Sequence, residues 1–190
     1  MKVIEFVGMP RAGKSTQINL LRKALTSKGK RVKVITDRFR ASQMKTPPTE
    51  VIAYKLVFFS KVLEDYFRSK GHYDYLLIDR GFVDSTVWFD VEHILGHISS
   101  KRAMELKDTF LEFVRDVDQI VCLMVDVSEA AHRHEKTKHM KVDEVGMSEE
   151  YLTALDKAYQ QNSINWKNCL YISELQSSSV IHEKIVEFVK

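Results

Sequence analysis

The chain has 190 residues, of which 44% are hydrophobic and 29% charged, a balance that suits one cored domain and excludes a disordered chain. Its formal net charge is only +3 and its basic residues are dispersed, so we expect no nucleic-acid partner. Two cysteines in apolar runs favour reduced thiols over a disulfide framework, and no apolar stretch approaches the ~20 residues of a membrane span. We therefore expect a cytoplasmic protein without a membrane partner.

Five apolar runs of residues that favour strands predict five strands, separated by segments long enough for helices. The predicted strands are residues 3–7, 31–35, 75–78, 120–127 and 169–172. The runs LLID and IVCLMVDV are continuously hydrophobic, as expected for strands buried on both faces of a parallel sheet. The sequence thus predicts an α/β fold of three layers, with a five-stranded parallel sheet, helices on both faces and a single domain over residues 1–190.

Amphipathic patterns and serine caps predict six helices. They are residues 15–27, 49–70, 100–114, 128–135, 148–161 and 179–189. In the longest, apolar residues recur at three- and four-residue steps and form one face, made of Ile52, Leu56, Phe59, Leu63 and Tyr66.

The segment GMPRAGKS, residues 8–15, fits the pattern G-x-x-x-x-G-K-[ST] and lies between a predicted strand and a predicted helix. In such a loop, backbone N–H groups curl round a phosphate and the helix start adds a partial positive charge. Lys14 is expected to neutralise phosphate oxygens and Ser15 to bind Mg²⁺. The pattern predicts an ATP and Mg²⁺ site formed by Gly8, Arg11, Ala12, Gly13, Lys14, Ser15 and Thr16.

Two Asp-Arg pairs directly follow predicted strands, at the end of a parallel sheet where ligands gather. Asp79 is expected to hold Mg²⁺, and Arg80 to grip a phosphate that arrives or leaves. Asp37 is a candidate base if the acceptor is an unphosphorylated nucleoside. If the acceptor is already a monophosphate, no strong base is needed and Arg38 matters more.

A basic segment, AHRHEKTKHMK, follows the fourth predicted strand and is poorly placed to be core. We predict a short lid over about residues 132–147 that closes on phosphates, with Arg133 as a catalytic residue. The competing interpretation is a solvated basic face without a catalytic task. Aromatic residues are further candidates, for stacking on an acceptor base, although such residues more often belong to the core: Tyr54, Phe58, Phe82 and Trp88.

Nearly end to end, these motifs resemble the thymidylate kinase branch of the nucleoside monophosphate kinases, with the deoxynucleoside kinases as a neighbouring branch. RAGKSTQ places Arg11 where eukaryotic-type members carry an arginine that helps to stabilise the transferred phosphoryl group. LLIDRGFVDS resembles the family's Asp-Arg motif, which implies that Arg80 contacts the acceptor's phosphate and that Asp79 lies near the metal. Arg133 stands where relatives carry an arginine. The resemblance also implies that residues 173–176 lie near adenine and makes a homodimer plausible.

The departures from this resemblance concern the acceptor. Pro10 stands where thymidylate kinases have an acidic residue that contacts the sugar, and the arginine expected on the long helix is missing from FFSKVLED. After the second strand, Asp37-Arg38-Phe39 replaces Arg-Glu-Pro, which moves the site partly toward the deoxynucleoside kinases.

From these motifs we expect ATP-dependent phosphoryl transfer to a small acceptor, foremost a (deoxy)nucleoside monophosphate. One alternative is a kinase of an unphosphorylated nucleoside or another small hydroxyl compound. The other is a regulatory ATPase that binds nucleotide without being a kinase.

Overall fold

A computed structural model describes residues 1–36, 51–136, 148–173 and 176–190, without the side chains of residues 51 and 54. Its strands are β1 Lys2–Gly8, β2 Val32–Thr36, β3 Tyr75–Asp79, β4 Gln119–Leu123 and β5 Cys169–Ile172. They form one sheet in the order β2-β3-β1-β4-β5, and every neighbouring pair is parallel. The predicted α/β class and the five-stranded parallel sheet are therefore confirmed.

Seven helices are present among the described residues. They are α1 Lys14–Thr26, α2 Val51–Ser69, α3 Phe82–Ile94, α4 Ser100–Val114, α5 Val127–Glu135, α6 Glu149–Ser163 and α7 Ser178–Val189. Ser99, Ser148 and Ser177 cap α4, α6 and α7, each accepting a hydrogen bond from a backbone N–H of the first turn. In this part of the chain no helix is long and apolar enough to cross a membrane.

Helix α3 is absent from the sequence prediction, and the fourth strand is predicted too long. Nine of the thirteen residues of α3 are buried, so its sequence shows no polar face from which a helical period could be read. Strand β4 ends at Leu123 and not at residue 127. The prediction is too long because the apolar residues Met124 and Val125, which are buried, continue the hydrophobic run beyond the strand. In both places the buried residues follow one another without a break, so the hydrophobic pattern does not show where a strand ends or a helix begins.

The predicted face of α2 is also wrong in detail. Leu56, assigned to the apolar face, is 39% exposed, whereas Lys55 is only 4% exposed. The buried face of α2 is therefore rotated from the predicted one and carries a cationic side chain into the interior. This rotation matters for the site described below.

Helices cover both faces of the sheet and make the two outer layers. One hydrophobic cluster joins alternate residues of β1 to α1: Ile4, Phe6, Ile18 and Leu21. A second cluster joins the other face of the sheet to α2, α3 and α4: Val3, Ile78, Phe59, Phe89 and Phe110. Because the strands are parallel, the loops that follow β1, β3 and β4 all leave from the same edge of the sheet.

Candidate functional site

The loop Gly8–Ser15 joins β1 to α1 and lies against the end of β4. Gly8 has a φ of 119°, and a Cβ there would lie 2.0 Å from the backbone oxygen of Leu123. Met9 N–H donates to that same oxygen at 3.0 Å. Gly13, with a φ of 93°, is the left-handed residue before α1. Glycine at position 8 is thus required by the close approach of two backbones.

Lys14 is the buried cation of this loop. Its ammonium donates to the carbonyl oxygens of Gly8 at 3.1 Å and of Met9 at 2.7 Å. Burial, and secondly the charge of Arg80, lower the pKa of Lys14 to about 7. No side chain among the described residues caps the start of α1, so this helix end is suited to an anion. Thr16 is exposed in the first turn.

Ser15 and Asp79 meet at the junction of α1 and β3. The Ser15 hydroxyl donates to Asp79 Oδ2 at 2.7 Å, and Asp79 pairs in register with Phe6 of β1. Hydroxyl and carboxylate oxygens are the ligand types that Mg²⁺ prefers. No group of three or more His, Cys, Asp or Glu side chains that could hold a metal occurs in the described ranges. A metal here would need further oxygens from a ligand or from water.

Arg80 follows Asp79 in a left-handed conformation, with a φ of 63°. Its N–H donates to the carbonyl of Phe6 at 3.0 Å, which fixes the backbone against β1. Its guanidinium lies 3.2 Å from Asp84 Oδ1 and donates to the Gly8 carbonyl at 3.4 Å. The Asp-Arg pair recognised in the sequence therefore turns toward the Gly8–Ser15 loop. A residue other than glycine in a left-handed conformation is uncommon and is often found at functional sites.

Asp84, in the first turn of α3, joins a buried group of polar side chains that we call the Asp84 cluster: Asp84, Arg80, Lys55 and Tyr159. The Asp84 side chain is 1% exposed, and Lys55 Nζ lies 3.4 Å from its Oδ2. Tyr159 of α6 donates a short hydrogen bond to Oδ1 of Asp84. Burial opposes ionisation, but Arg80 and Lys55 outweigh it and hold the pKa of Asp84 below its usual value.

Glu5, in the interior of β1, supports the start of α3. It is completely buried and accepts hydrogen bonds from the N–H groups of Val83 at 3.1 Å and Asp84 at 2.9 Å. Burial raises the pKa of Glu5 to about 7, although these two hydrogen bonds act against the rise. The carboxyl group of Glu5 therefore fixes the helix turn that carries Asp84.

Arg133 of α5 reaches the same loop from the other side. It donates to the Arg11 carbonyl at 3.1 Å and pairs with Glu129 at 2.5 Å. Arg11 itself has a φ of 61°, and its guanidinium lies 3.5 Å from His134 Nδ1. Residues 137–147 of the predicted lid lie outside the described residues, as do the candidates Asp37 and Arg38.

A small pocket of about 30 Å³ opens where the loop meets α5, the end of β5 and α7. It is lined by Ala12, Leu123, Met124, Val125, Arg133, Ile172, Gln176 and Ile181. Most of these residues are apolar, but polar atoms make up more than half of the exposed lining, and Arg133 and Gln176 are its polar side chains. A volume of this size is about that of one water molecule, so the pocket is a small recess beside the loop.

Solved structures of nucleoside and nucleotide kinases share this architecture. Deoxyadenosine kinase from M. mycoides with bound dATP is 17% identical, with 98% of each chain covered and a TM-score of 0.69. Thymidylate kinase from Candida albicans is 13% identical, with 99% of this chain and 90% of the other covered and a TM-score of 0.72. This chain has the P-loop kinase fold. No family model and no curated protein matches its sequence.

Within this kinase fold, the residues predicted from local motifs come together at one end of the sheet. Lys14, Ser15, Asp79 and Arg80 lie around the Gly8–Ser15 loop, and Arg133 contacts its backbone. Sequence reasoning missed the polar residues behind them: Glu5, Lys55, Asp84 and Tyr159. A charge inside the apolar run VIEFV was the signal available for Glu5. Nothing local marks Lys55 or Tyr159.

Proposed function

We propose that this protein transfers the terminal phosphoryl group of ATP to a small acceptor, a nucleoside monophosphate or a nucleoside. The observation that carries this proposal is the Ser15–Asp79 hydrogen bond beside the buried ammonium of Lys14, in a loop between β1 and α1. Phosphoryl transfer needs chiefly positioning and charge neutralisation. These side chains supply both, in a fold shared with nucleoside and nucleotide kinases.

The phosphates of ATP bind, in this proposal, to the backbone N–H groups of the Gly8–Ser15 loop and the start of α1. Lys14 then exchanges its two carbonyl partners for phosphate oxygens, whose negative charge favours its protonated form. The adenine base lies over the recess lined by Ala12, Gln176 and Ile181, which is open to solvent. The contiguity of that pocket with the loop supports the assignment.

The metal partner of ATP is Mg²⁺, held by Ser15 and Asp79. Their oxygens lie 2.7 Å apart and are of the hard type that this ion selects. When bound, Mg²⁺ neutralises charge on the β- and γ-phosphates. The protein's own part is to present these two oxygens next to Lys14.

Two arginines contact the loop, a third belongs to it, and all three are assigned to the transferred group. Arg80 contacts the Gly8 carbonyl, and Arg133 contacts the Arg11 carbonyl. Guanidinium groups on two sides of a phosphate loop favour charge that builds up on phosphoryl oxygens in the transition state. Arg11, Arg80 and Arg133 are therefore proposed as catalytic residues.

The acceptor we favour is a nucleoside monophosphate, because Lys55 and Arg80 are two cations that meet at Asp84, and Arg80 also contacts the loop at Gly8. A nucleoside is the second candidate, favoured by the likeness to deoxyadenosine kinase over 98% of both chains. A nucleoside hydroxyl needs a base, and Asp37 is the residue proposed for it. Replacement of Asp37 by Asn should then lower turnover by roughly 10²-fold or more, and near-normal turnover would reject that role.

The deciding experiment is a coupled assay of ADP release with Mg-ATP and a panel of nucleosides and nucleoside monophosphates, with Lys14→Ala as the blank. Turnover on a monophosphate supports the favoured acceptor. Turnover only on nucleosides supports the second candidate. ATP hydrolysis that no acceptor accelerates would replace both with a regulatory ATPase.

A further inference from the structure

The carboxylate of Asp84 gathers hydrogen-bond donors from three separate parts of the fold. Arg80 precedes α3 and lies 3.2 Å away, Lys55 belongs to α2 and lies 3.4 Å away, and Tyr159 belongs to α6. The Asp84 side chain is 1% exposed and that of Lys55 is 5% exposed. Burying these charges carries a large desolvation cost, which the contacts within the group only partly offset.

Two of these donors are cations, and the Asp84 cluster adjoins the Gly8–Ser15 loop. The second arm of the Arg80 guanidinium donates to the Gly8 carbonyl at 3.4 Å. Lys14 is close enough for its charge to act on Asp84 as well. Asp84 thus holds Lys55 and Arg80 together on one side of the loop. Arg133 lies on the opposite side, where it contacts the Arg11 carbonyl.

Trp88, one turn further along α3, adds a donor at the same place. The ammonium of Lys55 lies 4.5 Å from the centre of the Trp88 ring, over its face. The indole Nε1 of Trp88 is buried, and no described residue accepts a hydrogen bond from it. A buried donor of this kind is costly and is commonly explained by a ligand or water that it binds.

We propose that Lys55 and Arg80, held as a pair by Asp84, bind the anionic group of the acceptor and so select a phosphorylated acceptor. Lys55 is the specificity-determining residue, while Asp84 and Tyr159 are positioning residues. The inference rests on the proposed function and deepens it, because it names a nucleoside 5′-monophosphate as the substrate class. An uncharged nucleoside offers no anion to this pair of cations.

The physical basis is the geometry of phosphate recognition. Arginine binds phosphate oxygens through two parallel N–H groups, and lysine adds a compact charge with three donors. The carboxylate between them keeps both side chains from rotating away, and the Tyr159 hydroxyl fixes the carboxylate in turn. Affinity for the phosphate therefore depends on Lys55 directly and on Tyr159 through Asp84.

Binding measured without ATP tests the inference independently of turnover. By titration calorimetry, the four deoxynucleoside 5′-monophosphates are compared with the four matching deoxynucleosides. The unsubstituted protein is expected to bind at least one monophosphate more tightly than its nucleoside. Lys55→Met should weaken that monophosphate by roughly tenfold to hundredfold and leave the nucleoside unchanged. Lys55→Arg should retain most of the affinity.

Lys107→Met is the matched control, because Lys107 also bridges helices through an aspartate, with Nζ 2.6 Å from Asp90. It should leave both affinities unchanged. Equal affinity of the unsubstituted protein for monophosphates and nucleosides would overturn the inference. A loss of both affinities to the same degree in Lys55→Met would overturn it too.

Tyr159→Phe removes one hydroxyl group and decides the question if Lys55→Met does not fold. It should weaken monophosphate binding several-fold without changing the KM for ATP. Tyr66→Phe, which removes another hydroxyl from a carboxylate, that of Asp116 at 2.9 Å, should change neither. If Tyr159→Phe only lowers thermal stability, as Tyr66→Phe should, then Asp84 has a merely structural role.

Failure of the inference and failure of the proposed function give different results. A monophosphate preference that depends on Lys55, without acceptor-dependent ADP release, would leave the binding site in place and reject the kinase. Phosphoryl transfer to a nucleoside that Lys55→Met does not affect would keep the kinase and reject the binding site.

Discussion

The hydroxyl of Ser15 donates a hydrogen bond of 2.7 Å to the carboxylate of Asp79, across the junction between α1 and β3. The two residues are 64 positions apart in the chain and meet because β3 lies beside β1, the strand that leads into the loop. Ser15 is exposed, whereas Asp79 is 9% exposed. The pair therefore presents two oxygens at the border between the protein and the solvent, where a hydrated ion can exchange water for protein ligands.

Ser15→Ala and Asp79→Asn should both raise the Mg²⁺ concentration needed for half-maximal ADP release and lower kcat by roughly tenfold or more. Each removes one of the oxygens proposed to hold the ion. Ser27→Ala is the control, since its hydroxyl donates to the Ala24 carbonyl at 2.9 Å at the far end of α1. An unchanged Mg²⁺ dependence in Ser15→Ala would contradict the assignment of Ser15 to the metal.

Gly8→Ala should destabilise the fold far more than Gly29→Ala. Both glycines have positive φ angles, 119° and 75°, but only at Gly8 would the new Cβ meet a backbone atom, the Leu123 oxygen at 2.0 Å. We expect a cost of about 1–2 kcal/mol at Gly29 from the left-handed backbone alone. At Gly8 the cost should exceed about 4 kcal/mol, or soluble protein should be lost. Urea denaturation compares the two, and similar losses would show that β4 moves away without penalty.

The sequence predicts those parts of the structure that depend only on neighbouring residues in the chain. The loop from Gly8 to Ser15 is one motif between a strand and a helix, and Asp79-Arg80 directly follows an apolar run. A helix bound is also local: Ser148 marks a start that the structure keeps, and its side chain accepts a hydrogen bond from the N–H of Tyr151. In these cases one short segment contains the whole physical reason for the structure.

The Asp84 cluster could not be predicted in this way, because its members come from α2, α3 and α6. Asp84 lies 29 positions from Lys55 and 75 from Tyr159, and only tertiary packing brings them together. The hydrophobic pattern of α2 places Leu56 in the interior and the neighbouring Lys55 at the surface, because it assigns charged residues to the exposed face. A buried cation paired with a buried carboxylate breaks that rule, as functional sites often do.

Ile181→Phe should raise the KM for ATP by roughly tenfold and leave the KM for the acceptor unchanged. Ile181 lines the small pocket assigned to adenine, and a larger side chain would fill space that the base needs. Val180→Phe is the matched control, because Val180 is the preceding residue of α7 and is 41% exposed. Equal effects of the two substitutions would move the adenine site away from this pocket.

Glu5→Gln should change how the stability of the protein depends on pH. Burial raises the pKa of Glu5 from its ordinary value of 4.5 to about 7 in the folded state. Between these values the folded state binds more protons at this group than the unfolded chain does. The contribution of Glu5 to stability is therefore fully present below about pH 4.5 and is lost as the pH rises through about 7.

Across that window, ionisation of Glu5 should lower the free energy of unfolding by up to about 3 kcal/mol. A glutamine side chain cannot ionise, so the Glu5→Gln variant should lack this component of the pH dependence. Urea denaturation at pH 5, 6, 7 and 8 is expected to show the unsubstituted protein losing stability relative to the variant as the pH rises. Glu183→Gln, at an exposed position of α7, should follow the unsubstituted protein throughout. Parallel curves for the unsubstituted protein and Glu5→Gln would mean that Glu5 stays ionised in the folded state, held by the N–H groups of Val83 and Asp84 at 3.1 and 2.9 Å.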